Sequence, residues 1–416
     1  MLSFDVVFPR ELWRRCWVTF AALLVLIPMT AKHAQADVGF QTWITQFKSE
    51  ARSIGIPPQL ISRAFAGVTS PDPEVLRAAM SQPEFVRPLW EYLDSAVSRA
   101  RIDDGQEMLR RYATELDRIE QATGVSKYVI VAIWGIESSY GAVLDNRGVV
   151  RPVIRSLATL GYSDPDRSEF GRRQLIAALQ ILQRGDTTAD NLFGSWAGAM
   201  GHTQFIPTTY LEYSGDYDGD GRSDIWENVP DALFSTANYL RQSGWVAGHT
   251  WGYEVRVPAG FDWQLADETT ERSLAEWQQL GIARASGSAF PRPDDRATLM
   301  APTGARGPAF LMLRNFDVIK VYNNSTSYAL AVGHLADRLK GFGGFRSSFP
   351  RDVEPLSRDE VRRLQMLLTQ RGFPTDGVDG KIGPNTRGAI RDFQASVGLT
   401  PDGFASSALL GRLSGS

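Results

Sequence analysis

The sequence predicts a mainly α protein of the α+β kind. A large helical domain carries a small β element and an acidic loop, and a small three-helix module follows it. Three observations support this. Apolar residues recur at helical spacing, as in Phe40, Trp43, Ile44 and Phe47, and again in Leu109, Tyr112, Leu116 and Ile119. The stretch 251–322 breaks that rhythm: Tyr253-Glu254-Val255-Arg256-Val257 alternates like a strand, and Gly, Pro and Asp punctuate the residues after it. A Gly-, Ser-, Phe- and Pro-rich passage at 341–355 then reads as a linker, leaving residues 356–414 for a separate unit.

Taken in order, the chain opens on a targeting pattern. Arg10, Arg14 and Arg15 precede the apolar stretch 17–29, and Ala34-Gln35-Ala36 forms a small-x-small cleavage site. That stretch is short against the roughly 20 residues a membrane span needs. Residues 1–36 are therefore expected to be a signal peptide, and the mature chain an exported, periplasmic protein without a stable membrane span. The single cysteine, Cys16, lies inside this segment, so no disulfide is expected beyond it. With 416 residues and 43% hydrophobic content, the remainder can bury a core in two or more domains. A net charge of −3 with no basic block argues against a nucleic-acid partner. No organic cofactor is expected.

Glu137 is the leading candidate catalytic residue. It is a lone carboxylate at the end of the apolar run Val129-Ile130-Val131-Ala132-Ile133-Trp134-Gly135-Ile136, which Ser138-Ser139-Tyr140-Gly141 then breaks off. Ionisation is costly there, so the group should hold a proton near neutral pH, as a glycosidic acid catalyst must. Further on, Ser195-Trp196-Ala197-Gly198-Ala199-Met200-Gly201-His202-Thr203-Gln204-Phe205-Ile206-Pro207 is rich in small residues that let backbone approach a flat ligand or another helix. Tyr322-Asn323-Asn324-Ser325-Thr326-Ser327-Tyr328 interleaves aromatics with amides and hydroxyls, a composition suited to sugars.

Asp216-Tyr217-Asp218-Gly219-Asp220-Gly221 has the spacing of an EF-hand calcium loop. Asp216, Asp218 and Asp220 take positions 1, 3 and 5, and Gly221 permits the sharp turn. Arg222 offers its backbone carbonyl at position 7, Asp224 falls at position 9 and Glu227 at position 12. A structural Ca²⁺ is the expected metal. In the last 60 residues or so, Leu364-Gln365, Gly372 and Asp376-Gly377 are echoed by Phe393-Gln394, Gly398 and Asp402-Gly403. This doubled pattern carries no catalytic equipment and resembles the peptidoglycan-binding domain type.

The order Ala-Ile-Trp-Gly-Ile-Glu-Ser-Ser-Tyr-Gly, Ser-Leu-Ala-Thr-Leu, Gly-Ala-Met-Gly-x-x-Gln-Phe-x-Pro and then the acidic loop resembles the lytic murein transglycosylase B family. Gln82-Pro83-Glu84-Phe85 and Val97-Ser98-Arg99-Ala100-Arg101-Ile102 also fit, so the likeness covers about 40–339. The resemblance implies a goose-lysozyme-like catalytic domain over 37–340. It also implies cleavage of peptidoglycan glycan strands between N-acetylmuramic acid and N-acetylglucosamine, with Glu137 as acid and then base. Residue by residue, it implies that Ser195 and Gln204 contact substrate near the cleavage point, and that Tyr239, Tyr322, Asn323, Tyr328 and Tyr92 line the sugar groove. Arg167 matches one of a pair of arginines, with Asp166 in place of the other. The family's final calcium acid can open the next helix, here Asp231, so either Glu227 or Asp231 closes the site; EF-hand spacing slightly favours Glu227. Wall-synthesis or remodelling proteins are possible partners. Two other readings stay open: a muramidase using Asp145 or Asp224 as second acid, and a non-catalytic, calcium-stabilised wall-binding protein.

Overall fold

The computed structural model describes residues 37–80 and 88–415. The expected signal segment and the Gln82-Pro83-Glu84-Phe85 match lie outside the described residues. Helices dominate, and the helix Lys127–Ser138 is their hub. Residues 129–135 of that helix are all buried, most of them completely. It packs against the helices Thr326–Leu339, Arg99–Arg111, Val229–Gln242 and Ala113–Thr123. A helix that is apolar all round needs such a surround. It stops where the sequence says it should: Ser139, Tyr140 and Gly141 take positive φ of 50°, 59° and 89° in succession. Gly135 is required nearby, because a Cβ there would sit 2.6 Å from the Tyr140 ring.

Among the described residues, seven short strands make two sheets. Strands β1 (Arg151–Pro152) and β2 (Phe193–Gly194) form an antiparallel pair that leads into the Ser195 segment. Strands β3 (Gly252–Arg256), β4 (Arg272–Ser273), β5 (Ala283–Arg284), β6 (Arg296–Met300) and β7 (Ala309–Leu313) form an antiparallel sheet ordered β4-β6-β7-β3-β5. The predicted strand at 253–257 is thus β3, shifted by one residue. The sheet has its own core around Trp277, Leu274, Leu299 and Leu311, and the Trp277 indole donates to the Ala297 carbonyl at 2.8 Å.

The terminal unit is three helices, Arg358–Gln370, Pro384–Ser396 and Ser407–Ser414, around Leu364, Leu368, Ile390, Phe393 and Leu413. Its sequence echo has a physical cause, but the turn that answers Asp402-Gly403 is Asp379-Gly380, not the expected Asp376-Gly377, which is exposed. Gln365 donates to Asp379 at 2.9 Å and accepts from the Gly380 N–H at 2.9 Å. Gln394 repeats this with Asp402 at 2.8 Å and the Gly403 N–H at 2.8 Å. Each buried glutamine therefore fastens one Asp-Gly turn.

The passage 341–355 is held along its length. The Glu254 carboxylate accepts from the Arg346 and Ser347 N–H groups, at 2.8 and 2.7 Å for the nearest oxygen. Phe345 stacks on His334 with centroids 3.8 Å apart, Arg351 pairs with Asp94 at 2.7 Å, and Arg306 with Asp352 at 2.8 Å. The module itself is docked on the sheet region. Arg391 donates to the Ala266 carbonyl at 3.0 Å, Asp402 accepts from the Ala305 N–H at 2.9 Å, and Arg387 lies 3.5 Å from Glu268.

Candidate active site

Glu137 sits one residue from the end of the hub helix, where it faces a cleft instead of the core. The cleft holds about 30 Å³ and is lined by Ile136, Val143, Val149, Val150, Ser195 and Gln204 besides the Glu137–Ser139 corner. Burial raises the Glu137 carboxyl to about 7, while a hydrogen bond from the Tyr328 hydroxyl to Oε1 at 2.7 Å pulls it the other way. The outcome is a carboxylic acid protonated for a large share of its time at neutral pH. Among the described residues no other carboxylate lines the cleft, and Asp145 and Asp224, the sequence candidates for a second acid, are not in its walls.

Two expected substrate residues are in this cleft. Ser195 follows β2, and its Oγ accepts from the Ala199 N–H at 3.0 Å, which curls the small-residue segment into a tight loop. Gln204 has a positive φ of 56° and donates to the Gly201 carbonyl at 2.9 Å, turning its side chain back along the same loop. Tyr328 and Tyr322 occupy different places from those a sugar platform would take. Both are almost fully buried, and each supports the cleft from behind: Tyr328 holds Glu137, and Tyr322 donates to the Thr203 carbonyl at 2.5 Å. Tyr239 is half-buried, packs on Tyr213 and Tyr322, and donates to the Val321 carbonyl. Asn323 ends the helix Arg314–Tyr322 and is partly exposed. Tyr92 lies close enough to Tyr328 to act on its ionisation. Arg167 is occupied elsewhere: it pairs with Asp164 at 2.6 Å, reaches the Ala79 carbonyl and lies over the Trp196 ring at 5.8 Å. His202, one of the two unspecified positions of the Gly-x-x-Gln motif, proves to be central; only its place between Gly201 and Gln204 could have signalled it.

The acidic loop offers a hard-oxygen donor set. Carboxylate oxygens of Asp216, Asp218 and Asp231 lie within 4.8 Å of one another. Backbone N–H groups from Gly221 and Gly219 hold Asp216 below the usual carboxylate range. Burial pushes Asp231 up to about 6, with Asp218 and Asp216 adding like charge against its bonds from Tyr217 and Asp224. Such a cluster is complementary to a divalent cation. Asp220 caps the Arg222 N–H at 2.8 Å, and Glu227 accepts from Asn191 at 3.0 Å. Of the two acids left open by the sequence, Asp231 is the one the fold brings to Asp216 and Asp218; Glu227 is drawn aside by Asn191.

A mostly helical fold with a buried acid at a helix end, facing a narrow cleft, defines a lysozyme-like class of glycan-cleaving protein. Within it the chain belongs to the transglycosylase SLT domain family, whose model matches residues 39–337; a peptidoglycan binding domain model matches 357–413. The chain is similar to SltB3 from Pseudomonas aeruginosa, solved in complex with NAG-anhNAM-pentapeptide: 49% identity, TM-score 0.87, covering 91% of this chain and 100% of that one. It is also similar to the Escherichia coli lytic transglycosylase Slt35 in complex with calcium, at 26% identity and TM-score 0.59 over 73% of this chain and 93% of that one. Membrane-bound lytic murein transglycosylase B of Escherichia coli is 32% identical over 250 residues, 59% of this chain; the match spans 65% of that relative's length. Among the described residues no helix is long and apolar enough to cross a membrane.

Proposed function

We propose that this protein is a peptidoglycan lytic transglycosylase that cleaves the MurNAc-β-1,4-GlcNAc bond without water. The observation that carries this is Glu137, buried with its carboxyl raised toward neutrality, in a cleft that no second carboxylate lines among the described residues. A conventional hydrolase needs a second carboxylate about 5 to 9.5 Å away to act as nucleophile or to activate water. A transglycosylase needs one, because the substrate supplies the nucleophile. Glu137 donates its proton to the bridging oxygen as the C1–O bond breaks, and the GlcNAc side leaves with a free 4-hydroxyl. The muramic acid 6-hydroxyl then bonds to C1, and the Glu137 carboxylate takes the released proton. The acid is regenerated and the product ends in 1,6-anhydromuramic acid.

The acidic loop is read as a structural calcium site held by Asp216, Asp218 and Asp231, with Asp220 and the Arg222 carbonyl at the EF-hand positions. The calcium complex of the Escherichia coli relative supports this reading. Bound there, the ion would neutralise the clustered carboxylates and tie 216–221 to the start of the helix Val229–Gln242. A signal-like first 36 residues, a wall-glycan site and the terminal module together support a periplasmic, wall-associated location.

The deciding experiment is mass spectrometry of the soluble products from purified peptidoglycan, with wild type beside Glu137→Gln. Anhydromuropeptides from wild type alone support the proposal. Reducing-end products heavier by one water would make the protein a muramidase, and binding without products would leave a wall-binding protein.

A further inference from the structure

His202 joins three separately built parts of the site. Its backbone N–H donates to the Ile225 carbonyl at 2.9 Å, its carbonyl accepts from the Ser138 hydroxyl at 2.5 Å, and its ring Nδ1 accepts from the Trp134 indole N–H at 3.1 Å. Trp134 and Ser138 flank Glu137 on the last turn of the hub helix, so the ring and the carbonyl of one residue grip both sides of that turn. The same Ser138 hydroxyl also accepts from the Gly141 N–H at 2.9 Å. The ring packs against Gly141, where a Cβ would come within 2.5 Å of its Cε1. One residue on, the Thr203 carbonyl receives the Tyr322 hydroxyl, and Gln204 enters the cleft. On the other side, Asp224, next to Ile225, donates its N–H to Asp231 at 2.8 Å. Because Nδ1 is an acceptor, the ring is the neutral tautomer protonated at Nε2. The carboxylates of Asp224 and Asp145 face it. Glu137 itself is faced by the Tyr328 and Tyr322 hydroxyls.

We propose that His202 is a positioning residue for the reaction: it clamps the end of the Glu137 helix to the Gly201–Gln204 turn, fixing the acid's aim and keeping water from its flank. This rests on the proposed activity for its kinetic readout but not for its spectroscopic one. His202→Phe keeps an aromatic ring and loses the Nδ1 acceptor; His202→Asn places an amide oxygen close to where Nδ1 was. On a soluble uncrosslinked muropeptide oligomer, His202→Phe should lower kcat by roughly a hundredfold, the scale of a misaimed catalytic group, with KM little changed. Its alkaline limb should move to lower pH as water reaches Glu137. His202→Asn should recover at least tenfold of the loss. The melting temperature of each variant is measured alongside.

The Glu137 carboxyl is also titrated directly by ¹³C NMR in protein carrying labelled glutamate, with Glu137→Gln assigning the signal. A downward move in His202→Phe that is absent in His202→Asn supports the clamp even if the chain proves not to cleave glycan. If neither variant moves the Glu137 titration or kcat, or both lose activity only in step with a lower melting temperature, His202 is a packing residue and the proposal is overturned.

Discussion

Glu137 combines two requirements that oppose each other: it must be buried enough to keep its proton and open enough to reach a substrate oxygen. The folded carboxyl, at about 7, lies above its usual value of 4.5. Stability linked to this group is therefore fully present below about pH 4.5 and is lost as pH rises through about 7. Glu137→Gln should remove this dependence and stabilise the fold above pH 8 by on the order of 2 to 3 kcal/mol, measurable by urea unfolding at pH 5 and 8. The same variant should reduce cleavage by at least about a hundredfold, the usual worth of a general acid. Tyr328→Phe tests the opposing bond. Losing a donor that favours the carboxylate should move the alkaline limb of activity up by about one pH unit; an unmoved limb would mean the hydroxyl only packs. The acid was legible in the sequence because its surroundings are local, eight apolar neighbours in a row. Tyr328 was legible as a residue but not as a role, since its contact to Glu137 spans 191 positions and no local pattern encodes such a distance.

At the scale of elements, the acidic loop and the helix after it form one unit. Asp216 and Asp218 belong to the loop, while Asp231 reaches them from the first turn of the helix Val229–Gln242. The EF-hand spacing marks the loop and favours Glu227, because spacing rules assume a twelve-residue loop closed from within. In the fold, Asn228 caps the helix, accepting from the Asp231 N–H at 3.3 Å, and this brings the helical acid beside Asp216 and Asp218. Asp231→Asn should therefore weaken calcium binding by tenfold or more in a calorimetric titration, and Glu227→Gln by much less. The reverse order would restore Glu227 as the closing ligand. Calcium should also raise the melting temperature, and chelator should lower it. The β element shows a similar limit. Alternation at Tyr253–Val257 revealed one strand, whereas the two-residue strands β4 and β5 are too short to carry a period.

For the whole molecule, the arrangement of the terminal module was the least legible feature. The composition of 341–355 reads as a loose connector, yet Glu254, Asp94 and Trp90 each take a residue of it. These partners lie about 90 to 260 positions away in sequence. Arg391 is the module's deepest commitment to the rest of the chain, a buried guanidinium bonded to the Ala266 carbonyl. Arg391→Ala should cost about 1.5 to 3 kcal/mol, the worth of a charged hydrogen bond. It should also split thermal unfolding into two transitions by calorimetry; a single unchanged transition would show the contact to be incidental.

The doubled glutamine-fastened turn has a consequence of its own. One copy, Asp402-Gly403, is spent on the seam with residues 304–305, while its twin at Asp379-Gly380 leaves Asp379 exposed. A grip of fixed bearing works as a gauge rather than a leash: wall held at the module meets the cleft at one set offset and in one direction. Fragments released from long strands should then cluster around a characteristic length, and cutting the seam should broaden that distribution without stopping the chemistry.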